Sequence, residues 1–230
     1  MKLILFDIDG TLVDAAGAGR RAFNRALHDL LGSPNPLDGI RLDGRTDTLI
    51  LQEALRRLGR EDLMADARWI ETLCRHYVDR LEEELRNGCH DYRVLPGVRE
   101  LLDALEREEG CALGLATGNL EAGAWAKLRP GELHRYFRFG GFGDAAWSRT
   151  EIVRRAVARA REALDLDEDP PTVVVGDTPL DIEHGRAAGA RVVAVATGFF
   201  SPEQLAAYEP DLLVEQLDPV EPVLEFLRAL

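Results

Sequence analysis

The sequence predicts an α/β fold built on a parallel sheet, with a helical segment inserted after the first strand. From Pro96 to the end of the chain, short apolar runs alternate with segments whose apolar residues recur at helical spacing. This alternation is typical of a parallel sheet with helical crossovers. Residues 16–88, in contrast, contain helical patterns and no strand pattern. The segment therefore interrupts the sheet directly after its first strand.

The first strand and the turn after it combine an apolar run with two carboxylates. Residues 3–6 are Leu-Ile-Leu-Phe, which is typical of a strand buried on both faces. Asp7 and Asp9 follow directly, and Gly10 allows the backbone to turn so that both approach one site. Open α/β sheets bind ligands at such strand ends. An acidic turn without function is the alternative, since Asp-Gly is a common turn pair.

Three helices are predicted in the inserted segment. They cover residues 20–31, 47–58 and 61–85, and Gly32, Gly59 and Asn87-Gly88 end them. Because the segment follows the end of the first strand, we expect it to lie over the strand ends where ligands bind. We therefore predict one unit formed by residues 16–88 and a second formed by residues 1–15 and 89–230.

The second part of the chain predicts the rest of the sheet and its helices. In order, these elements are helix 97–108, strand 111–116, helix 121–128, strand 137–142, helix 150–164, strand 172–175, a helix ending before Gly189, strand 191–195, strand 212–214 and helix 219–230. The strand at 212–214 is short and is expected at an edge of the sheet.

The composition limits the classes of partner and location. The chain has 41 acidic and 28 basic residues, which gives a net charge of −13. This charge disfavours nucleic acid and anionic membranes as partners, and an anionic substrate requires local cations. The three cysteines, Cys74, Cys89 and Cys111, are widely spaced and form no Cys-x-x-Cys motif. Neither a zinc site nor a disulfide framework is therefore indicated. We expect a reducing, cytoplasmic location and no membrane segment.

Four polar segments follow strands of the predicted sheet. These are Asp7 with Asp9, Thr117-Gly118-Asn119, the residues around Arg149, and Gly176-Asp177 with Asp181. Because parallel strands end at one edge, their carboxylates are expected to converge. Two like charges about 4 Å apart repel by about 4 kcal/mol at an effective dielectric of 20, so a proton or a cation must accompany them. With oxygen ligands and no His or Cys cluster, Mg²⁺ is the expected ion.

These segments resemble the motifs of a known family. Asp7-Ile8-Asp9-Gly10-Thr11, Thr117-Gly118-Asn119 and Gly176-Asp177-x-x-x-Asp181 resemble motifs one, two and four of the haloacid dehalogenase-like hydrolases. The inserted helical segment resembles the C1-type cap of that family. The resemblance covers essentially the whole chain and implies a Rossmann-like core. Phosphoglycolate phosphatase-like members have the most similar motifs.

The resemblance implies a role for each matching residue. Asp7 is expected to be the nucleophile that forms an aspartyl-phosphate, and Asp9 the acid and base that serves the leaving oxygen and then water. Asp7, Asp177 and the backbone carbonyl of Asp9 are expected to bind Mg²⁺, while Asp181 binds it through water or holds the loop. The Thr117 hydroxyl is expected to hold the transferring phosphoryl group. The groups expected to bind substrate beside it are Gly10, Thr11, Gly118 and Asn119.

The third motif departs from the family pattern. The family has a lysine before the helix that precedes motif four, and this chain has Arg149 at that place. Arg149 is therefore the candidate, although a planar guanidinium and a compact ammonium are not equivalent. Lys127, on the helix after motif two, is the alternative. It is one of only two lysines, and otherwise we expect it on a solvated helix face.

The loop at residues 44–47 precedes the second inserted helix. Thr46 or Asp47 is expected to cap that helix. Arg45 is a candidate to contact the distal group of the substrate, as loops in this position of the cap do in related enzymes. His184 is expected in helix-face packing, and core or interface packing is expected for Trp69, Trp125 and Trp147.

Together these features predict a Mg²⁺-dependent phosphatase that hydrolyses a small phosphomonoester. The expected partner is therefore a small phosphorylated metabolite. A sugar phosphomutase similar to β-phosphoglucomutase shares the fold and the carboxylates and stays open. A 2-haloacid dehalogenase is disfavoured by Asp9, which dehalogenases lack. An inactive binding module is disfavoured because both Asp7 and Asp9 are present.

Overall fold

The computed structural model describes residues 1–42, 44–87, 91–144 and 148–230. The strands of this part are β1 (Lys2–Phe6), β2 (Val13–Asp14), β3 (Arg93–Val94), β4 (Cys111–Ala116), β5 (Gly140–Gly141), β6 (Thr172–Gly176), β7 (Arg191–Val195) and β8 (Leu212–Val214). The helices are α1 (Ala18–Leu31), α2 (Asp47–Arg57), α3 (Ala67–Asn87), α4 (Val98–Arg107), α5 (Glu121–Leu128), α6 (Arg149–Leu164), α7 (Pro179–Ala187), α8 (Pro202–Ala206) and α9 (Glu221–Arg228). Two 3₁₀ turns cover Glu61–Ala65 and Leu133–Tyr136.

Six of the strands form one parallel sheet in the order β5-β4-β1-β6-β7-β8, which confirms the predicted α/β fold. The first strand is central, and Phe6 is in register with Leu115 of β4 and Val175 of β6. The chain segments that leave these three strands therefore start side by side at the same edge of the sheet.

Both faces of the sheet are covered by helices, which explains the unbroken apolar strands. On one face, Ile4 and Phe6 belong to a core with residues of α4 and α9. On the other, Leu3 and Leu5 pack with residues of α6. All four side chains are fully buried, and each contributes about 1.5–3 kcal/mol from the transfer out of water. The central strand is thus a rigid base for the residues that follow it.

The helices α1, α2 and α3 share a hydrophobic cluster that also includes Leu120 and Ala126, at the start of α5 and within it. Its fully buried members include Ala22 and Leu27 of α1, Leu55 of α2 and Leu81 of α3. Ion pairs support the α1–α3 contact, for example between Arg21 and Glu84 at 2.7 Å. The predicted boundary between residues 88 and 89 lies outside the described residues, and the division into two units stays a prediction.

The structure differs from the predicted elements at several places. The third inserted helix begins later than predicted, because Asp66 Oδ1 accepts the N–H groups of Arg68 and Trp69 and starts a new helix at Ala67. The predicted strand 137–142 is reduced to Gly140–Gly141. A short antiparallel pair, β2 with β3, and the helix α8 were not predicted.

Other expectations have mixed outcomes. Trp69 and Trp125 are partly buried and pack against the two large clusters, as expected, whereas Trp147 and Cys89 lie outside the described residues. His184 Nδ1 is 2.9 Å from the Thr150 hydroxyl of the neighbouring helix. Within the described ranges, no helix has the length and apolar character needed to cross a membrane.

Candidate active site

The ends of β1, β4 and β6 bring the predicted site residues together. Asp7 extends the central strand, with its N–H donating to Val175 O at 2.9 Å. Thr117 extends β4 in the same way, donating to Gly141 O at 3.1 Å. Asp177 follows β6 directly. The convergence predicted from the topology is therefore present in the structure.

Three carboxylates form a buried cluster at this edge. One oxygen each of Asp7, Asp177 and Asp181 lies within 4.8 Å of the others. The Thr11 hydroxyl donates to Asp177 Oδ1 at 3.1 Å. Asp181 Oδ2 accepts from the N–H and the hydroxyl of Thr178 at 3.0 and 2.7 Å. The Asp181 N–H in turn donates to the Thr178 hydroxyl oxygen at 3.3 Å, which completes the capping box of α7. Asp181 thus holds its loop, while Asp7 and Asp177 face each other.

The protein surroundings disfavour ionisation of these groups. Burial raises the pKa of Asp7 to about 7, with Asp181 and Asp9 adding to the increase and the Arg149 guanidinium opposing it. Burial also raises the pKa of Asp177, followed by the charges of Asp181 and Asp7. The cluster therefore lacks sufficient positive charge from the protein alone.

The donor set fits a hard divalent cation. Asp7 Oδ1 is buried and has no hydrogen-bond partner among the described residues. The facing groups are all carboxylate oxygens, which magnesium and similar ions prefer. A cation there would satisfy Asp7 Oδ1 and offset the charge that raises both pKa values. The cluster can therefore hold a divalent metal ion.

Arg149 lies on one side of the cluster. Its side chain is only 10% exposed, and Nη2 lies 3.8 Å from Asp7 Oδ2. Nη1 is bound to Asp181 Oδ1, and Nε donates to Gly44 O at 2.6 Å. The arginine at the third-motif position thus contacts the acidic cluster and the loop before α2 with one planar group.

Lys127 contacts the carboxylate of Asp9, and the prediction that it lies on a solvated helix face was wrong. Its side chain is 7% exposed, and Nζ donates to Asp9 Oδ2 and Asn119 Oδ1, each at 2.6 Å. Burial acts to lower the pKa of Lys127, but the carboxylates of Asp9 and Asp47 outweigh it and raise the pKa. The ammonium is therefore a fixed charge of the site.

The sequence contained a signal for this position of Lys127. Apart from Glu121 at its start, α5 is composed of small and apolar residues with Lys127 as its one charged side chain. A single lysine on a helix without a polar face has no solvated face to occupy. Its charge must then be matched by a partner in the interior.

Asn119 connects the two central strand ends. Its Nδ2 donates to Asp9 Oδ2 at 2.9 Å and to the Thr117 hydroxyl at 2.8 Å. Together with Lys127, it fixes the carboxylate of Asp9, which is 45% exposed on its side chain. Gly10 has a φ of 83°, and a Cβ there would collide with the Asp177 carboxylate. This glycine permits the turn that was expected to bring Asp9 back over the strand end.

The loop before α2 contacts the strand ends through its backbone. Thr46 is the N-cap, as expected for one of the two candidates, and accepts from Leu49 N at 3.2 Å. Asp47 instead accepts from Leu120 N at 2.8 Å, at the start of α5. A Cβ at Gly118 would lie 2.5 Å from Arg45 O, so a glycine is required for this close approach.

Arg45 lines the cavity that opens above the acidic cluster. Its guanidinium donates to the carbonyl oxygens of Arg41 and Leu49 at 3.5 and 3.2 Å. The predicted contact between Arg45 and a substrate stays a prediction. The cavity has a volume of about 660 Å³ and extends from Asp7 to α1, α2 and α3.

A family model matches most of this chain, and curated phosphatases are similar to it over nearly its whole length. The model described as haloacid dehalogenase-like hydrolase matches residues 4–195. The probable phosphatase IndB of Dickeya dadantii is 30% identical over 219 residues, covering 95% of this chain and 91% of that protein. A plasmid-encoded phosphoglycolate phosphatase of Cupriavidus necator is 31% identical over 223 residues, covering 96% of this chain and 92% of that protein.

A solved structure shows the same fold. The crystal structure of a predicted phosphoglycolate phosphatase from Haemophilus somnus 129pt superimposes with a TM-score of 0.65 at 21% identity, covering 97% of both chains. The matched family model includes the strand ends that carry Asp7, Asp9, Thr117 and Asp177. This chain therefore belongs to the haloacid dehalogenase-like hydrolase family.

Proposed function

We propose that this protein is a Mg²⁺-dependent phosphatase that hydrolyses a phosphomonoester through an aspartyl-phosphate on Asp7. The observation that supports this best is the pairing of two different carboxylates at one strand end. Asp7 is buried among acids with one unpartnered oxygen, whereas Asp9 is half-exposed and held by Lys127 and Asn119. One group suits nucleophilic attack and the other proton transfer.

In the first step, an oxygen of Asp7 forms a bond to phosphorus while the bond from phosphorus to the substrate's alcohol oxygen breaks. Asp9 gives its proton to that leaving oxygen. Lys127 and Asn119 keep the Asp9 carboxyl on the side of the cavity from which the alcohol leaves. Proton transfer then needs no reorientation of Asp9.

In the second step, Asp9 takes a proton from water, whose oxygen attacks phosphorus as the bond to Asp7 breaks. Phosphate leaves and both carboxylates return to their starting states. The Thr117 hydroxyl and the backbone around Gly118, Asn119, Gly10 and Thr11 are proposed to hold the phosphoryl oxygens. Arg149 is proposed to offset negative charge beside Asp7, from which its Nη2 is 3.8 Å distant.

We propose that the carboxylates of Asp7 and Asp177 and the backbone carbonyl of Asp9 bind Mg²⁺ directly. Asp181 is proposed to bind the ion through water or to hold the loop. When bound, the ion supplies positive charge that neutralises the cluster and orients a phosphate oxygen. The all-oxygen donor set and the unpartnered Asp7 Oδ1 support this assignment.

Residues 16–88 are proposed to act as a cap over the site, with residues 1–15 and 89–230 as the core. The hydrophobic cluster that α1, α2 and α3 share supports this arrangement, and Leu120 and Ala126 of the α5 region join it where cap and core meet. So do the contacts of the loop before α2 with the strand ends. A cap in this position excludes bulk water from the phosphoryl transfer.

The test is hydrolysis of p-nitrophenyl phosphate by the purified protein with Mg²⁺, with a chelator, and with Mg²⁺ restored. We expect turnover only in the first and third conditions, and a phosphoenzyme that can be trapped by acid quenching. A full rate in excess chelator would exclude the metal from the mechanism. A phosphoenzyme that persists in water but passes its phosphoryl group to a sugar phosphate would identify a phosphomutase instead.

The Arg149→Met variant is expected to lower kcat by about 100-fold, because one positive group beside the reacting phosphoryl is lost. Arg149→Lys should recover only part of the rate, since a compact ammonium cannot reach Asp7, Asp181 and the carbonyl of Gly44 together. Steady-state kinetics would measure both. Arg154→Met, exposed on the same helix, is the matched control. Wild-type kcat in Arg149→Met would remove Arg149 from the site.

A further inference from the structure

The cavity above the acidic cluster is larger than a two-carbon substrate requires. Its volume is about 660 Å³. A two-carbon acid phosphate has about nine non-hydrogen atoms, which fill less than half of this space at the ~30 Å³ that a water molecule takes in the liquid. Pockets of ~300–1,000 Å³ usually enclose ligands of drug size. The volume therefore indicates a bulkier alcohol.

The cavity has this volume while the loop before α2 is in contact with the strand ends. Asp47 N donates to Gly118 O at 2.8 Å, and Asp47 Oδ2 accepts from Leu120 N at 2.8 Å. Arg149 Nε binds Gly44 O at 2.6 Å. Because this loop already contacts the strand ends, the space above Asp7 persists while the loop is closed.

The helices α1, α2 and α3 and the segment between α1 and α2 line the cavity with apolar and aromatic side chains and with the arginines Arg20, Arg41 and Arg45. We call the apolar and aromatic part the distal wall, and it consists of Phe23, Leu37, Ile40, Ile50 and Tyr77. The ring centroids of Phe23 and Tyr77 are 4.4 Å apart. Arg20 donates to the carbonyl oxygens of Leu37 and Ile40 at 2.6 and 3.2 Å, which fixes that segment against α1. A fixed wall of this kind favours a flat, largely apolar ring.

The Tyr77 hydroxyl is the polar group of the distal wall. The Tyr77 side chain is 1% exposed and lines the cavity. Among the residues that the structure describes, burial and the nearby charges of Asp47 and Asp9 act on its hydroxyl, but no hydrogen bond does. A Cβ at Gly19 would lie 3.7 Å from this hydroxyl and 3.2 Å from Lys127 Nζ. The hydroxyl thus lies near the amine that holds Asp9. Asp7 Oδ1 is the one enclosed side-chain atom without a partner among the described residues, and the Tyr77 hydroxyl is not enclosed in this way. It is open to the cavity, where a polar atom of a ligand can form a hydrogen bond with it.

We propose that the distal wall selects a phosphomonoester whose alcohol carries an unsaturated ring of nucleoside size, and that the Tyr77 hydroxyl hydrogen-bonds a polar atom of that alcohol. The proposal rests on the proposed phosphatase function and names its substrate class. A two-carbon acid phosphate would leave Phe23 and most of the distal wall without contact.

The test compares kcat/KM for uridine 5′-monophosphate, adenosine 5′-monophosphate and pyridoxal 5′-phosphate with that for 2-phosphoglycolate. At least one ring-bearing compound is expected to exceed 2-phosphoglycolate by about 10-fold or more, the effect of one good additional contact. The Kd of each compound for the Mg²⁺-loaded protein is measured by calorimetry in parallel. This binding ratio tests the proposal even if the protein hydrolyses nothing.

Tyr77→Phe is the informative variant, because it removes only the hydroxyl. We expect kcat/KM for the preferred ring-bearing compound to fall about 3- to 10-fold, which is the effect of one hydrogen bond, and to fall by a smaller factor for 2-phosphoglycolate. The melting temperature should not decrease, since no hydrogen bond within the described protein is lost. Tyr208→Phe, a tyrosine 39% exposed on the surface, is the control.

The outcomes separate the two proposals. Preference for 2-phosphoglycolate in both kcat/KM and Kd would overturn the ring-bearing substrate class while leaving the phosphatase function intact. An equal effect of Tyr77→Phe on all compounds, or a lowered melting temperature, would overturn the role of its hydroxyl. No hydrolysis of p-nitrophenyl phosphate with Mg²⁺, together with tighter binding of a ring-bearing compound, would overturn the phosphatase function alone.

Discussion

The Asp7→Asn variant is expected to lose at least about 10⁴-fold in kcat toward p-nitrophenyl phosphate, because an amide cannot attack phosphorus and a lost nucleophile removes the whole covalent pathway. No phosphoenzyme should form in this variant. Asp169→Asn, an exposed aspartate, is the matched control and should keep wild-type kcat. Appreciable phosphoenzyme in Asp7→Asn would show that another residue is the nucleophile.

The same variant is expected to be more stable than the wild type when metal is removed. Folding raises the pKa of Asp7 from 3.8 to about 7, mainly through burial. The Asp7 carboxyl makes its full contribution to the free energy of unfolding below about pH 4. This contribution is lost as the pH rises through about 7, because the folded protein holds the proton more tightly than the unfolded chain does. Asparagine does not titrate, so the variant avoids that loss.

Denaturant unfolding with a chelator at pH 8 would measure this difference. We expect the free energy of unfolding to be about 1–4 kcal/mol higher in Asp7→Asn than in the wild type, and nearly equal at pH 4. Excess Mg²⁺ should narrow the gap at pH 8, because the ion binds the folded wild type. A difference independent of pH would contradict the burial of an ionisable Asp7 as its cause.

Lys127→Met is expected to lower kcat by about 10²- to 10⁴-fold, the range of general acid–base catalysis. The substitution keeps the length of the side chain but leaves Asp9 held by Asn119 alone, and Asn119 Oδ1 loses its donor. The KM for p-nitrophenyl phosphate should change less than kcat, because the lost contact orients Asp9 rather than the substrate.

Lys2→Met is the control for this variant. Lys2 is the other lysine of the chain, and its Nζ binds Leu227 O at 2.6 Å, away from the cavity. We expect wild-type kcat in it. Equal losses in the two variants would point to a general effect on folding, and wild-type kcat in Lys127→Met would exclude Lys127 from the site.

A comparison of Lys127→Met with Arg149→Met would assign the third-motif role. Lys127 has Asp9 as its closest acid, at 2.6 Å. The Arg149 guanidinium is mainly engaged by Asp181 and the carbonyl of Gly44, with Asp7 at 3.8 Å. We therefore expect the greater loss in Lys127→Met. The opposite order would assign the larger contribution to the arginine at the motif position.

The sheet could be predicted from the sequence because its signals are local. The apolar runs of β1, β4 and β7 fit burial on both faces, and their predicted limits agree with the structure to within one residue. Topology then places the ends of parallel strands at one edge, so the proximity of Asp7 to Asp177 followed without coordinates. The chemistry of these residue types indicated a metal site in the same way.

Only the tertiary structure decided which side chains outside the motifs belong to the site. The composition of α5 indicates that Lys127 needs an interior partner, but it does not identify Asp9 and Asn119 as the partners. Tyr77 lies in a helical pattern that predicts a helix but not its neighbours, and its place beside the site depends on how α3 packs. The same holds for Asp47, whose carboxylate accepts the N–H of Leu120 at the start of α5 rather than an N–H of its own helix. Local pattern specifies secondary structure and strand ends, whereas the orientation of a helix face depends on contacts between residues far apart in the chain.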